Sequence, residues 1–395
     1  MIDLNQESNY PTPPLLRLGF RAFFFAAGII GITSMLIWIL LYQGLISSSY
    51  VLPQYWHAHE MVFAYASATI VGFLLTASRN WTGVQTLYGK PLLALLILWV
   101  LGRFSPWISA ELLWYQMLLD SGFLLLSTVA IAYPIIKAKN WNNVSIIAKL
   151  ALLFAAHIAY YLGLMGLLDN GIYIGIYAGF YLVISLLFMM SRRLLPFFIE
   201  RGLGLEAQLK NSKFLDLSSL VLFLLFLLVE VFFPSSNPLF ALLPLALFLI
   251  HTKRLINWFN VGIWRKSLLW SIYLAYGLFV LGFLLNALSY FLVLPPHLDL
   301  HSFAFGIALM TLSMMCRVSL GHTGRNVFDP PKALNLMFVL LVLSFVFRVV
   351  FPSVLVAYYE SWILISQLLW IGAFSYFSIV YTPMFFKPRT DGQFG

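Results

Sequence analysis

Two histidines and a glutamate stand together at the start of a hydrophobic segment, in the string Trp56-His57-Ala58-His59-Glu60. An ionisable side chain inside a membrane is costly unless it is paired or bound to something, so such residues mark functional sites. Imidazole nitrogens are ligands for transition metals, and a carboxylate beside a ligating histidine fixes its tautomer. The string therefore predicts metal ligation by His57 and His59, with Glu60 either as their carboxylate partner or as an ordinary interfacial acid.

The spacing of the two histidines leaves two arrangements open. On a helix, His57 and His59 point about 200° apart, whereas Glu60 shares a face with His57. In the first arrangement His59 faces the interior of the helix bundle and His57 lies at its entrance. In the second, the helix starts later in the chain and a loop turns both rings inward.

The elements that must position these residues are membrane-spanning helices. The chain has 395 residues, of which 62% are apolar and 9% charged, and its mean hydropathy is +0.91. Runs of about 20 apolar residues, each long enough to cross a bilayer, recur along it. We expect an all-α integral membrane protein with about twelve transmembrane helices, the third of them within Pro91–Ser109.

The basic residues predict the orientation of these helices, since Lys and Arg accumulate in cytoplasmic loops. With twelve spans and both termini cytoplasmic, only Arg103 and Arg348 of the 23 Lys and Arg residues fall toward the outside. The net charge of +9 then reflects topology and a face apposed to anionic lipid headgroups. No basic stretch lies on a soluble domain, so we expect no nucleic-acid partner.

We expect residues 1–395 to form one membrane domain. It divides into two halves of six helices, about 1–195 and 210–395. The inner connector from Ser191 to Lys213 joins them and lies at the membrane interface. A lone cysteine, Cys316, excludes an iron–sulfur cluster and covalent haem attachment, so any haem is held noncovalently.

Most of the remaining acids and histidines fall in the outer half of the predicted spans. Such groups line a shared cavity or metal centre, or are satisfied separately at the wet outer interface. We expect His157 and His301 as further metal ligands, with His301 favoured over His297, four residues earlier. Asp120 and Glu230 are the candidate proton carriers or outer partners. The full set at this depth is His57, His59, Glu60, Asp120, His157, Glu230, His297, Asp299, His301 and Arg348.

A second polar group falls at the inner ends of the spans. His322 lies 21 residues after His301, or roughly 31 Å along a helix, so the two cannot share an ion in an unbroken helix. We expect His322, also a candidate metal ligand, to join an inner group that binds a carboxylate, a haem propionate or a lipid phosphate. Alternatively, these are ordinary cytoplasmic arginines. The predicted anion-binding residues are Arg79, Asn80, Arg192, Arg193, Arg317 and Arg325.

Three motifs give the chain a resemblance to a known family. They are Pro14-Leu15-Leu16-Arg17-Leu18-Gly19-Phe20-Arg21, the segment from Trp56 through Gly72-Phe73-Leu74-Leu75-Thr76 to Arg79-Asn80-Trp81-Thr82-Gly83, and Arg317-Val318-Ser319-Leu320-Gly321-His322-Thr323-Gly324-Arg325. In these strings, and in length and motif order, the chain resembles NnrS proteins. Ala22 departs from the family pattern, which has a proline after the arginine.

The resemblance implies a polytopic protein of the bacterial cytoplasmic membrane that contains noncovalent haem b and copper and is linked to denitrification and the nitric oxide response. His57, His59, His301 and His322 match family motif positions, and His157 matches less closely. We therefore expect a metalloprotein that acts in the response to nitric oxide and nitrosative stress by binding or reducing the gas, with an electron donor that the residues do not identify. The alternatives are a secondary transporter of an anion or metal that uses the same polar residues, and a sensor without turnover.

Overall fold

The structure, a computed structural model, describes residues 11–48, 50–104, 109–206, 209, 212–234 and 237–395. Within these ranges every regular element is helical and no strand occurs. Inside hydrocarbon, a spanning chain satisfies its backbone polar groups only in a helix or a closed barrel. Residues 105–108 of the third predicted span lie outside the described residues, as do residues 207–208 and 210–211 of the predicted connector.

Twelve helices follow the order of the predicted spans. They are α1 (Gly19–Tyr42), α2 (Pro53–Thr82), α3 (Lys90–Gly102), α4 (Ala110–Lys137), α5 (Trp141–Leu164), α6 (Gly171–Leu203), α7 (Lys213–Phe232), α8 (Pro238–Trp258), α9 (Ser267–Ser289), α10 (Leu298–His322), α11 (Leu334–Val354) and α12 (Val356–Phe386).

Eleven of the helices in the described ranges are long and apolar enough to cross a membrane, so the chain is a multi-pass membrane protein. The exception is α3, whose 13 residues reach only about 20 Å, less than the ~30 Å hydrocarbon core. Twelve full spans and two cytoplasmic termini therefore stay predictions.

The chain forms two compact units. Unit 1 comprises residues 1–183, 315–330 and 374–395, and unit 2 comprises residues 184–314 and 331–373. In unit 2, α8 packs against α7 and α9, and α9 also contacts α11. Helix α6 continues to Leu203, so the first part of the predicted connector is helical. The two predicted halves and the interfacial position of their connector stay predictions.

Helix α2 is the central element of unit 1. It packs against α1 and α4, and α4 also contacts α3 and α5. In its most apolar stretch, 89% of the residues of α2 are buried, against 44% for α1 and α4. Polar side chains on α2 therefore meet other helices instead of lipid.

Local sequence explains where α2 begins, widens and ends. Pro53 stands in its first turn, where a missing N–H costs nothing. Residues Glu60–Ala66 form a π-helical segment, a wide turn that proteins use mostly at functional sites. Gly83 ends the helix in the left-handed conformation at φ 69°, and its N–H donates to the Arg79 carbonyl at 2.8 Å.

A glycine allows α6 to approach α5 closely within unit 1. A Cβ atom on Gly175 would lie 2.6 Å from the backbone nitrogen of Tyr160 and 2.7 Å from the carbonyl oxygen of Ala156. Real Cβ atoms do not come so near to backbone, and close helix contact through small residues is how membrane helices associate. Gly175 thus sets the position of the α5 turn that carries His157.

We expect Gly175→Ala to lower the thermal unfolding midpoint of the detergent-purified protein, because overpacking a tight contact costs about 1–3 kcal/mol. Gly122→Ala in α4 is the matched control, since the nearest atom to its added Cβ, Leu98 Cδ2, lies 3.6 Å away. Equal midpoints for the two variants would contradict this account of the α5–α6 contact.

Candidate metal centre

The first turns of α2 separate the two predicted ligands. His59 is 2% exposed and faces the interior of unit 1. His57 is only half-buried, and its ring stacks on that of Trp38 with centroids 4.5 Å apart and planes 13° apart. The structure therefore has the first of the two arrangements, in which one histidine enters the bundle and the other stays at its edge.

Three side chains from three helices meet at one point in unit 1. His59 Nε2 on α2 lies 2.8 Å from His157 Nε2 on α5. The Oδ2 atom of Asp120 on α4 lies 3.4 Å from His59 Nε2 and 3.5 Å from His157 Nε2. All three residues are buried, and they are the cluster of possible metal-ligating groups found in the described part of the chain.

The size of this triangle matches a single transition-metal ion. Metal–ligand distances of about 2.1 Å place neighbouring donor atoms about 3.0 Å apart at right angles and about 3.4 Å apart at the tetrahedral angle. The three observed separations, 2.8, 3.4 and 3.5 Å, are close to these values. Two imidazoles and one carboxylate on one face of an ion leave its other coordination positions open.

The outer nitrogen of each imidazole is also held. His59 Nδ1 lies 3.0 Å from Glu60 Oε1, and an ionised carboxylate only accepts, so this nitrogen carries the proton and Nε2 presents a lone pair. His157 Nδ1 lies 2.9 Å from the hydroxyl oxygen of Ser121, which either donates or accepts. When Ser121 accepts, both Nε2 lone pairs point at the same place, as metal ligation requires.

Arg103, at the end of α3, links the two buried carboxylates. Its Nη1 atom donates to both oxygens of Glu60 at 3.0 Å, and its Nη2 atom donates a hydrogen bond to Asp120 Oδ1. Tyr161 donates its hydroxyl to Asp120 Oδ2 at 3.0 Å. The two carboxylates carry two negative charges and Arg103 carries one positive charge. One further positive charge would therefore make the group neutral.

Aromatic rings surround the histidines and exclude water. The ring of Tyr160 stacks on His59 at a centroid distance of 4.6 Å. Phe63, within the π-helical segment, contacts His157 at 4.4 Å, and Tyr161 stands perpendicular to His157 at 5.2 Å. In so dry a site the electrostatic interactions between donors and a cation are strengthened.

Other predicted outer residues are not part of this cluster. His301 and Glu230 belong to unit 2, where both are half-buried. His301 Nδ1 lies 2.7 Å from the carbonyl oxygen of His297. Ligation by His57 or His301, and a proton-carrying role for Glu230, stay predictions.

The predicted inner group divides between the two units. In unit 1, His322 Nε2 lies 3.4 Å from Asn80 Nδ2, and Arg79 lies over the ring of Phe394 at 5.0 Å. Arg317 and Arg325 belong to the same unit.

Arg192 and Arg193 lie in unit 2 instead. There Arg192 forms an ion pair of 3.1 Å with Asp216, which also binds the buried Arg254 at 2.9 Å. Asp216 thus gives Arg192 an acidic partner within the chain, and anion binding by the predicted inner residues stays a prediction.

Sequence reasoning missed the groups that hold the ligands. The sequence did single out Arg103, because it is one of the two basic residues that the charge pattern places on the outer side. Nothing in the sequence pointed to Ser121 except that it follows Asp120, or to Tyr161 except that it follows Tyr160. A third buried imidazole, His251 in unit 2, was also not predicted as a candidate; its Nδ1 lies 2.6 Å from the hydroxyl oxygen of Tyr276.

The family match agrees with the motifs from which the site is built. The family profile described as NnrS protein matches residues 14–389, nearly the whole chain. The chain belongs to the NnrS family. Compared with curated proteins, it matches none. Within this NnrS chain, the His59–Asp120–His157 cluster is the part of the described structure that is compatible with metal binding.

The donors fit the two cofactors implied for NnrS proteins differently. Imidazole is a ligand for copper, and the triangle above accommodates such an ion. Two imidazoles on opposite sides of a haem iron would instead place their Nε2 atoms about 4 Å apart, twice a metal–nitrogen distance. His59 and His157 stand 2.8 Å apart with their ring centroids at 5.0 Å, so this pair does not hold a haem between its rings.

We expect Arg103→Met to destabilise the NnrS protein by about 3–5 kcal/mol, because it leaves two carboxylates buried without their partner. Thermal unfolding in detergent measures the effect, and Lys90→Gln, which removes an exposed cation at the start of α3, is the control. Adding Asp120→Asn to Arg103→Met should restore part of the loss. An Arg103→Met protein as stable as the control would refute the bridging role.

Proposed function

We propose that this NnrS protein is a metalloprotein of the bacterial cytoplasmic membrane that binds nitric oxide, with a single copper ion held by His59, His157 and Asp120, in the response to nitrosative stress. Family membership supports the link to nitric oxide. The single observation that carries the metal assignment is the set of three buried donor atoms from three helices, all within 3.5 Å of one another.

Charge balance favours an ion of low charge at this position. Glu60 and Asp120 contribute two negative charges and Arg103 one positive charge, so a singly charged copper ion makes the cluster neutral. Neutrality matters here because an uncompensated charge in the interior costs several kcal/mol. A divalent ion instead leaves one positive charge, which an anionic ligand would offset.

The residues around the ion have separate tasks. Glu60 and Ser121 orient the two imidazoles through their Nδ1 atoms, and Tyr161 orients the Asp120 carboxylate. Tyr160 and Phe63 keep water away from the rings. When bound, the metal supplies open coordination positions for a diatomic gas, which reaches a membrane-embedded centre through lipid. Haem b, where this chain carries it, would not be held between the rings of His59 and His157.

Metal analysis of protein purified after copper loading tests the proposal. We expect about one copper per chain. His157→Ala and Asp120→Asn should lower copper affinity by more than the roughly 10–100-fold that losing an outer partner costs, and Ser121→Ala should fall within that range. The matched control is His57→Ala, two residues from His59 but stacked on Trp38 outside the triangle.

Addition of nitric oxide to the reduced, copper-loaded protein should change its visible or electron paramagnetic resonance spectrum, and His157→Ala should not show the change. Equal copper loss in His57→Ala and His157→Ala would overturn the ligand assignment. Wild-type protein that retains no stoichiometric metal would favour the transporter alternative.

A further inference from the structure

Arg21 lies two residues inside the start of α1 and is fully buried in unit 1. Its Nη1 atom donates to three carbonyl oxygens at the end of α12, those of Met384 at 2.8 Å, Phe385 at 2.9 Å and Lys387 at 2.8 Å. Carbonyl groups at a helix C-terminus attract cations. One corner of the guanidinium therefore anchors α12.

The opposite edge of the same guanidinium is unused. Its Nε and Nη2 atoms are buried and have no hydrogen-bond partner among the described residues. These two atoms form a planar edge with parallel N–H groups, the geometry that binds two oxygens of a carboxylate or phosphate at once. A buried donor left without an acceptor is destabilising, so this edge requires one.

The charged groups that interact with Arg21 in the described part of the chain are cations. Arg17, Arg325 and Arg389 repel its positive charge, and no acid among the described residues offsets that repulsion. Arg325 repeats the pattern, since its buried Nη1 also has no hydrogen-bond partner among the described residues. The charged groups that interact with the neighbouring His322 are also arginines, namely Arg389, Arg79 and Arg21.

Asp391, an acid close to these cations in the described structure, is already paired with Arg389. Asp391 accepts from Arg389 Nε at 2.8 Å, and hydrogen bonding to Arg389 lowers the pKa of Asp391 to about 2. Its single negative charge offsets Arg389 and leaves Arg17, Arg21 and Arg325 unbalanced. Several positive charges in a buried region are stabilised when an anion binds among them.

We propose that Arg21 and Arg325 form a binding site for a phosphoryl group at this end of unit 1, independent of the metal centre. A phosphate offers paired oxygens to the Nε–Nη2 edge of Arg21 and further oxygens to Arg325. A phosphoryl group with up to two negative charges also offsets the charge of several arginines better than a carboxylate with one. The site adds Arg21 to the residues that sequence motifs predict for anion binding.

The phosphoryl group comes from one of two sources, a phospholipid headgroup or free phosphate. Arg21 stands near one end of the predicted membrane span α1, and lipid headgroups lie at the ends of such spans, where arginine and phosphate commonly meet. The charge pattern predicts that this end faces the cytoplasm, which also supplies soluble phosphate. Both sources present the same oxygens to the same guanidinium edge, so experiment must separate them.

The test uses delipidated full-length protein in a maltoside detergent, which contains no phosphate. One arm adds inorganic phosphate at constant ionic strength, with chloride as the comparison. The other arm adds phosphatidylglycerol, with a diacylglycerol of the same chains as the comparison. A ligand that binds the folded state raises the unfolding midpoint in a saturable manner, so at least one arm should show such a rise.

Arg21→Lys keeps a donor for the α12 carbonyls but removes the two-atom edge, and Arg325→Gln removes the second cation. Each substitution should lower the affinity for the stabilising ligand about tenfold or more. Arg265→Gln, which removes an exposed cation of unit 2, should leave the response unchanged. If Arg21→Lys fails to fold, Arg325→Gln decides.

A rise with phosphate alone identifies the free ion, and a rise with phosphatidylglycerol alone identifies the lipid headgroup. The proposal is overturned if neither ligand raises the midpoint. It is also overturned if Arg325→Gln responds as strongly as wild-type protein.

Discussion

The sharing of one guanidinium by two buried carboxylates is the interaction on which the metal centre depends. Arg103 binds Glu60 and Asp120 together, so neither buried acid lacks a positively charged partner. Gly102 makes this contact possible, because a Cβ at that position would clash with the Asp120 carboxylate. The short helix α3 therefore ends at Gly102 and Arg103, the two residues that contact Asp120 on α4.

The same pair of carboxylates aligns the histidines. Glu60 follows His59 directly at the start of the π-helical segment, so the acid that Arg103 fixes also fixes the imidazole beside it. Asp120 is held by Arg103 and Tyr161 with its second oxygen directed at both Nε2 atoms. Ligand positions that are set by packing and hydrogen bonds before an ion arrives lose less entropy on binding it.

Hydropathy and charge predicted the helices and the depth of the polar groups, but depth does not determine which helices are neighbours. His59, His157 and Asp120 have the same predicted depth and meet, whereas His301 and Glu230 also have this predicted depth but belong to the other unit. A sequence pattern gives the position of a residue along its helix and around it. Pairing of helices follows from close contacts such as that of Gly175 with Tyr160, which only the folded chain reveals.

Helix α2 reaches both polar regions of unit 1, with His59 in its second turn and Asn80 in its last. These residues are 21 positions apart, about 31 Å along the helix. At an effective dielectric constant of about 20, unit charges that far apart interact by only about 0.5 kcal/mol. A charge change among the inner arginines therefore barely alters the electrostatic field at the metal centre. Coupling between the two regions has to run through the packing of α2 against α1 and α4, which both regions share.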